Sequence, residues 1–167
     1  GVPQLTAIND AAIIAQKHTI PVIADGGIRT SGDITKAIAA GSSSIMIGSL
    51  LAGTDESPGI TIMRPNGKFK MTRGMASLSA AVERKSKESE SVDENYLLDY
   101  VPEGVEAMVP HRGQATDVIN KLVGGLRSGL SYSGAHNLNE LRDNSEFIRI
   151  TEAGKAESGP HDVNILD

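Results

Sequence analysis

The chain has 167 residues, with 16 Lys and Arg against 21 Asp and Glu, for a net charge of -5. That length suits one domain, and the mild acidity makes a poor generic binder of nucleic acid or of an anionic membrane. Cysteine is absent and aromatics are only 3%, which excludes disulfides, thiolate metal sites and a cysteine nucleophile within these residues and leaves few platforms for stacking bases.

Residues 1–57 read as repeating α/β units. Thr6 is placed to cap a helix running to about His18, with Ile8, Ala11, Ala12, Ile14 and Ala15 near one face. The apolar run Ile20-Pro21-Val22-Ile23-Ala24 stops at Asp25-Gly26-Gly27. A run without alternation predicts a strand buried on both faces, as in parallel sheets. Ser31 is a good N-cap for a second helix, Asp33 suits its first turn, and Gly41 suits the position after its end. A second apolar run, Ser44 to Ile47, stops at Gly48-Ser49. Helix, strand, helix, strand implies parallel strands with right-handed crossovers.

Pro65-Asn66-Gly67 lies between two strand-like runs and predicts a hairpin. The charged stretch 83–99 predicts mobility, and 101–113 reads as a loop. Helices are predicted from Thr116 to Leu126 and from Leu138 to Asn144, with a short strand at Phe147–Ile150 and an irregular tail from 151. His111 reads as an exposed loop histidine, His18 as a partner of a helix C-terminus, and Arg127 beside Gly124-Gly125 as a helix end. His136 and His161 lack metal-ligand spacing.

The chemistry concentrates at the two strand ends. Gly26, Gly27 and Gly48 would let backbone N–H groups approach phosphate oxygens, and Ser49 adds a hydroxyl. The helix starting at Ser31 adds a positive dipole end. The Asp25 carboxylate repels phosphate but suits the two hydroxyls of a ribose. Together these residues read as a nucleoside monophosphate site, while plain strand-to-helix turns would use the same glycines.

Longer motifs now carry a resemblance. Gly1-Val2-Pro3-Gln4, Ala24-Asp25-Gly26-Gly27-Ile28, Ser31-Gly32-Asp33, Met46 to Thr54, Arg73-Gly74-Met75, Val101-Pro102-Glu103-Gly104 and Pro160-His161-Asp162-Val163 resemble IMP dehydrogenase, in that family's order. The resemblance implies a (β/α)8 TIM barrel of the α/β class, a fold that takes about 250 residues. The chain would supply the last two βα units in 1–57, a hairpin and mobile flap in 58–113, and C-terminal helices and tail in 114–167. It also implies the NAD-dependent oxidation of IMP to XMP through a covalent cysteine intermediate. That cysteine would lie on a loop just before Gly1, outside this chain.

By the same resemblance, Asp25 would hold the ribose, and Gly26, Gly27, Gly48, Ser49 and Thr72 the phosphate. Gly74, Met75 and Ala76 would face the base, and Glu103 its N1 edge. Glu157, Ser158 and Gly159 would offer oxygens to a potassium ion (K+) shared with a neighbouring subunit of a homotetramer. A cytoplasmic enzyme of guanine nucleotide biosynthesis is expected, with no nucleic-acid or membrane partner. Three departures stand out: Thr72 replaces a tyrosine, Ala76 replaces a glycine, and the family's flap Arg-Tyr pair is lost. An ungapped alignment puts Ser89-Glu90 there; a shifted one puts Asn95 and Tyr96, with Tyr96 then the possible flap tyrosine. Neither restores the arginine, which puts hydrolytic release of XMP in doubt. A GMP reductase-like enzyme and a non-catalytic nucleotide-binding paralogue are the alternatives. Two βα units leave sheet edges open, so these 167 residues are not expected to fold alone.

Overall fold

The computed structural model describes residues 1–74, 77–88 and 106–159. Within them the order is α1 (Gln4–Lys17), β1 (Ile23–Asp25), α2 (Ser31–Ala39), β2 (Ser44–Met46), α3 (Ser49–Ala52), β3 (Thr61–Arg64), β4 (Gly67–Arg73), α4 (Leu78–Glu88), β5 (Glu106–Pro110), α5 (Ala115–Tyr132), α6 (Leu138–Asn144) and α7 (Glu152–Glu157). Strands β1 and β2 pair in parallel, with Asp25 opposite Met46. Strands β3, β4 and β5 form a separate antiparallel sheet in that order.

The parallel pair and its crossover helix follow the predicted order, with local differences. Helix α1 starts at Gln4 behind Pro3, not at a Thr6 cap, because Pro3 has no N–H to orphan and presets the entry. The cap of α2 is Thr30, one residue before Ser31. Thr30 Oγ1 accepts from Asp33 N–H, and the Asp33 carboxylate accepts from the Thr30 and Arg29 N–H groups. This reciprocal box satisfies donors that a lone Ser31 cap would leave open. Gly41 follows α2 with φ +112, and a Cβ there would lie 2.5 Å from Ala12 Cβ. Both the backbone and α1 therefore require glycine.

Strands β1 and β2 are shorter than predicted and are not buried on both faces within this chain. Ala24 is 1% exposed, but Ile23 is 56% exposed and Met46 51%. Ile14, predicted on the buried face of α1, is also exposed. The core lies on the other side of the sheet. Ile8, Ala24, Ile28, Ile34, Ala37, Ile38, Leu50 and Leu141 meet there, flanked by Leu122, Leu126 and Leu130 of α5. Helix α2 packs on α5 through glycines: Gly125 faces Ser31, and a Cβ on Gly129 would lie 2.5 Å from Thr35 Oγ1. Gly124 and Gly125 thus lie mid-helix, with Gly125 in contact with α2, which corrects the reading of a helix end at Arg127.

The hairpin forms as predicted, with Arg64 opposite Gly67 across Pro65-Asn66. The loop read at 101–113 contains β5, which pairs Glu106 with Arg73 and Pro110 with Phe69. Pro110 sits at the end of an edge strand, where a missing N–H is tolerated. The charged stretch from 83 begins inside α4, where Glu83 pairs with Arg73 and Lys87. Its remainder, 89–99, lies outside the described residues. Helix α5 extends to Tyr132, beyond the predicted Leu126. Phe147–Ile150 forms no strand, and the tail contains α7, capped by Thr151. Among the described residues no helix is long and apolar enough to cross a membrane.

Candidate functional site

Strand β1 ends at Asp25, and the chain leaves it through Gly26 at φ +104 and Gly27 at φ +76. Two consecutive residues in the left-handed region demand glycine. No heavy atom lies within 4 Å of where a Gly27 Cβ would stand, nor of one at Gly48. The space over both turns is open. Strand β2 ends one residue before Ile47-Gly48, and Gly48 caps the short helix α3, which begins with exposed Ser49. The parallel register brings these two strand ends to the same side. Asp25, Gly26, Gly27, Gly48 and Ser49 are all exposed there. Beside the glycine turn a cavity of about 230 Å³ opens between α1 and α2, lined by Gln4, Ile8, Ile28 and Lys36 among others.

The Ser31 hydroxyl is not part of this cluster; its side chain lies against Gly125 of α5. Asp33 belongs to the α2 cap. Burial pushes its pKa up, but hydrogen bonds from Arg29 and Thr30 and the charge of Lys36 hold it below its ordinary 3.8.

A second layer fixes α3 against the antiparallel sheet. Helix α3 packs on β4, and a Cβ on Gly53 would collide with the Pro110 carbonyl. Arg112 N–H donates to Gly53 O at 2.9 Å, and Asp55 N–H to Gly113 O at 2.8 Å. Lys70 is only 4% exposed, and its ammonium donates to the carbonyls of Asp55 and Ser57. Glu56 accepts from the Ala115 N–H and so caps α5. His111 is not a free loop histidine: its Nε2 lies 2.7 Å from Asp55 Oδ1, and its side chain is 17% exposed. The His111 hydrogen bond holds the Asp55 carboxyl below its ordinary 3.8. These fastenings hold β4, which carries Thr72 and runs into Gly74, against α3, the helix that begins at Ser49. Both are half-buried; Thr72 lies opposite Ala107, and Gly74 follows the end of β4.

Met75, Ala76, Glu103 and Tyr96 lie outside the described residues. Glu157 ends α7, Ser158 is its C-cap, and Gly159 N–H donates to Ala156 O. A helix C-terminus presents backbone carbonyls and the negative end of the dipole, a chemistry that suits a hard monovalent cation. Among the described residues no cluster of three His, Cys, Asp or Glu could hold a metal. His18 is the C-cap of α1, as read. His136 pairs with Glu140, whose carboxyl is held below its ordinary 4.5 first by the His136 N–H and then by its ring. Lys70, Asp55 and Gln4 escaped the sequence reading. Their partners lie 13 to 56 residues away, and no local pattern marks them.

The model of the IMP dehydrogenase / GMP reductase domain matches residues 1–161. The chain belongs to this family. It is 60% identical to the inosine-5'-monophosphate dehydrogenase of Nitrosopumilus maritimus, over 99% of this chain and 35% of that protein. It is 48% identical to the GMP reductase of Leishmania donovani, over 99% of this chain and 34% of that protein. A crystal structure of a cysteine-to-alanine GMP reductase variant from Trypanosoma brucei, in complex with guanosine 5'-monophosphate, superposes with a TM-score of 0.87. That match has 45% identity and covers 98% of this chain and 32% of that one. The chain therefore spans about a third of the length of the relatives it matches. Its α/β architecture is that of this TIM-barrel family.

Proposed function

We propose that this chain forms the nucleotide-holding part of an oxidoreductase that converts IMP to XMP with NAD. The observation that carries the reading is the paired strand end. Two consecutive left-handed glycines after Asp25 stand beside Gly48-Ser49, with open space over both turns. Backbone N–H groups and a serine hydroxyl there suit a phosphate, and the Asp25 carboxylate suits ribose hydroxyls. Thr72 would add a hydroxyl from β4, and Gly74, Met75 and Ala76 would meet the base, with Glu103 at its N1 edge. The 60% identity to an IMP dehydrogenase supports this branch.

In the proposed reaction, IMP, NAD+ and water become XMP, NADH and a proton. When bound, NAD supplies the hydride acceptor. A cysteine on the loop before the Gly1-Val2-Pro3-Gln4 motif would hold the purine covalently, and this chain's residues would fix the nucleotide in front of it. The barrel would be completed by the strands that pair with β1 and β2. Glu157, Ser158 and Gly159 would offer their carbonyls to a potassium ion at a subunit contact of a tetramer. Lacking the flap arginine, the enzyme would release XMP slowly.

GMP reductase is the second reading. It is favoured by the 48% identity to such enzymes and by the GMP-bound structural neighbour. Both readings use the same phosphate and ribose residues. The test is a pair of assays on the full-length protein: NADH formation from IMP and NAD, and oxidation of a reduced nicotinamide cofactor by GMP. The first signal alone supports the dehydrogenase, and the second alone replaces it with the reductase. Asp25→Ala should weaken nucleotide binding by about tenfold or more in either case, the scale of losing charge-assisted hydrogen bonds. Binding of neither nucleotide overturns the proposal.

A further inference from the structure

Gln4 is the first residue of α1, 21 positions before Asp25. Its side chain is not spent on capping its own helix. Instead Gln4 Nε2 donates to the Asp25 carbonyl at 2.7 Å. The same amide lies 4.0 Å from where a Gly26 Cβ would stand. It therefore covers the point where β1 stops and the left-handed pair begins.

We infer that Gln4 is a positioning residue, locking the Asp25-Gly26-Gly27 turn in the shape that receives the nucleotide; this rests on the nucleotide-site reading above. The physical need is plain. Two successive glycines have the largest conformational freedom of any dipeptide, so a binding surface made of their N–H groups must be held by something else. Asp25 is the last residue of β1 with a partner on β2, and Gly26 and Gly27 have none in the register. Both glycines are exposed, and no atom packs within 4 Å of a Gly27 Cβ position. Among the described residues, the hydrogen bond from Gln4 is a side-chain fastening that reaches the turn from another element. It also ties the turn to the start of α1, so the segment entering α1 and the nucleotide turn move together.

The test uses the full-length protein with Gln4→Glu and Gln4→Met. Both keep the side-chain length, and neither offers an amide donor. IMP is the probe, measured by calorimetry, with amide exchange of residues 24–29, melting temperature and steady-state constants alongside. The expected result is a dissociation constant and KM for IMP raised about five- to tenfold, the weight of one hydrogen bond. The kcat should change less, and exchange should quicken at 24–29 while the melting temperature holds. Unchanged affinity and unchanged exchange at 24–29 overturn the inference. A lowered melting temperature with faster exchange throughout α1 also overturns it, leaving a plain fold-stabilising contact. If wild type fails to bind IMP, the nucleotide reading falls by itself. Exchange at 24–29 then decides the lock: quickened in both variants it stands as a turn-positioning device, unchanged it falls.

Discussion

Asp55 and His111 meet across 56 residues at 2.7 Å, and that contact keeps the Asp55 carboxyl below its ordinary value. The predicted consequence has a definite sign. Asp33, Asp55 and Glu140 are all depressed from ordinary values of 3.8, 3.8 and 4.5. As pH falls, the unfolded chain takes up these protons first. Their contribution to stability is therefore complete above pH 4.5 and declines as the pH drops through each depressed folded value. His111→Ala should return Asp55 toward 3.8 in a carboxyl-resolved NMR titration of the full-length protein. The stability difference between wild type and this variant should shrink in acid. An Asp55 titration that does not move would show that His111 is not the cause. Sequence alone could not reveal this pair, because a histidine followed by Arg112-Gly113 looks like any solvated loop.

At the scale of elements, α2 and α5 come close because glycine stands on α5 wherever α2 presents Ser31 and Thr35. Glycine costs a helix about 1 kcal/mol relative to alanine, so an isolated α5 would gain from Gly129→Ala. In the folded protein the added methyl would meet Thr35. The prediction is a net destabilisation of about 1–3 kcal/mol, the usual cost of overpacking, read by denaturant unfolding of the full-length protein. A stabilised variant would mean that α2 and α5 can part freely. In the sequence, Gly124-Gly125 and Arg127 read by default as a helix end. Helix interior and helix end look alike when the reason for a glycine is the neighbour that it admits. Strand β5 was missed for a related reason. Glu106 to Pro110 has a charged start and a proline end, and only pairing with β4 makes it a strand.

For the whole molecule, the decisive feature is the apolar surface left on the parallel pair. Among the described residues β1 and β2 pair only with each other, and Ile23 and Met46 are each about half exposed. Open edges and apolar faces invite further strands. The 167 residues produced alone should therefore self-associate or fail to melt cooperatively. Sedimentation and a thermal melt check this: a monomer with a sharp transition would refute it.

The sequence by itself determined the parallel β1–β2 pair, its crossover helix, the Asn66-Gly67 hairpin and the family, because these rest on local patterns. Asp25-Gly26-Gly27 and Gly48-Ser49 were legible as a candidate site because each follows an apolar run in sequence, and the left-handed turn at Gly26-Gly27 needs glycine. Met75, Ala76, Tyr96 and Glu103 fall outside the described residues, so their roles still rest on resemblance. Only the tertiary structure decided what fastens the site. Lys70 reaching the Asp55 carbonyl, His111 holding the Asp55 carboxyl and Gln4 holding Asp25 are contacts between distant segments. A polar side chain carries no mark of its partner until the fold brings the two within hydrogen-bonding distance.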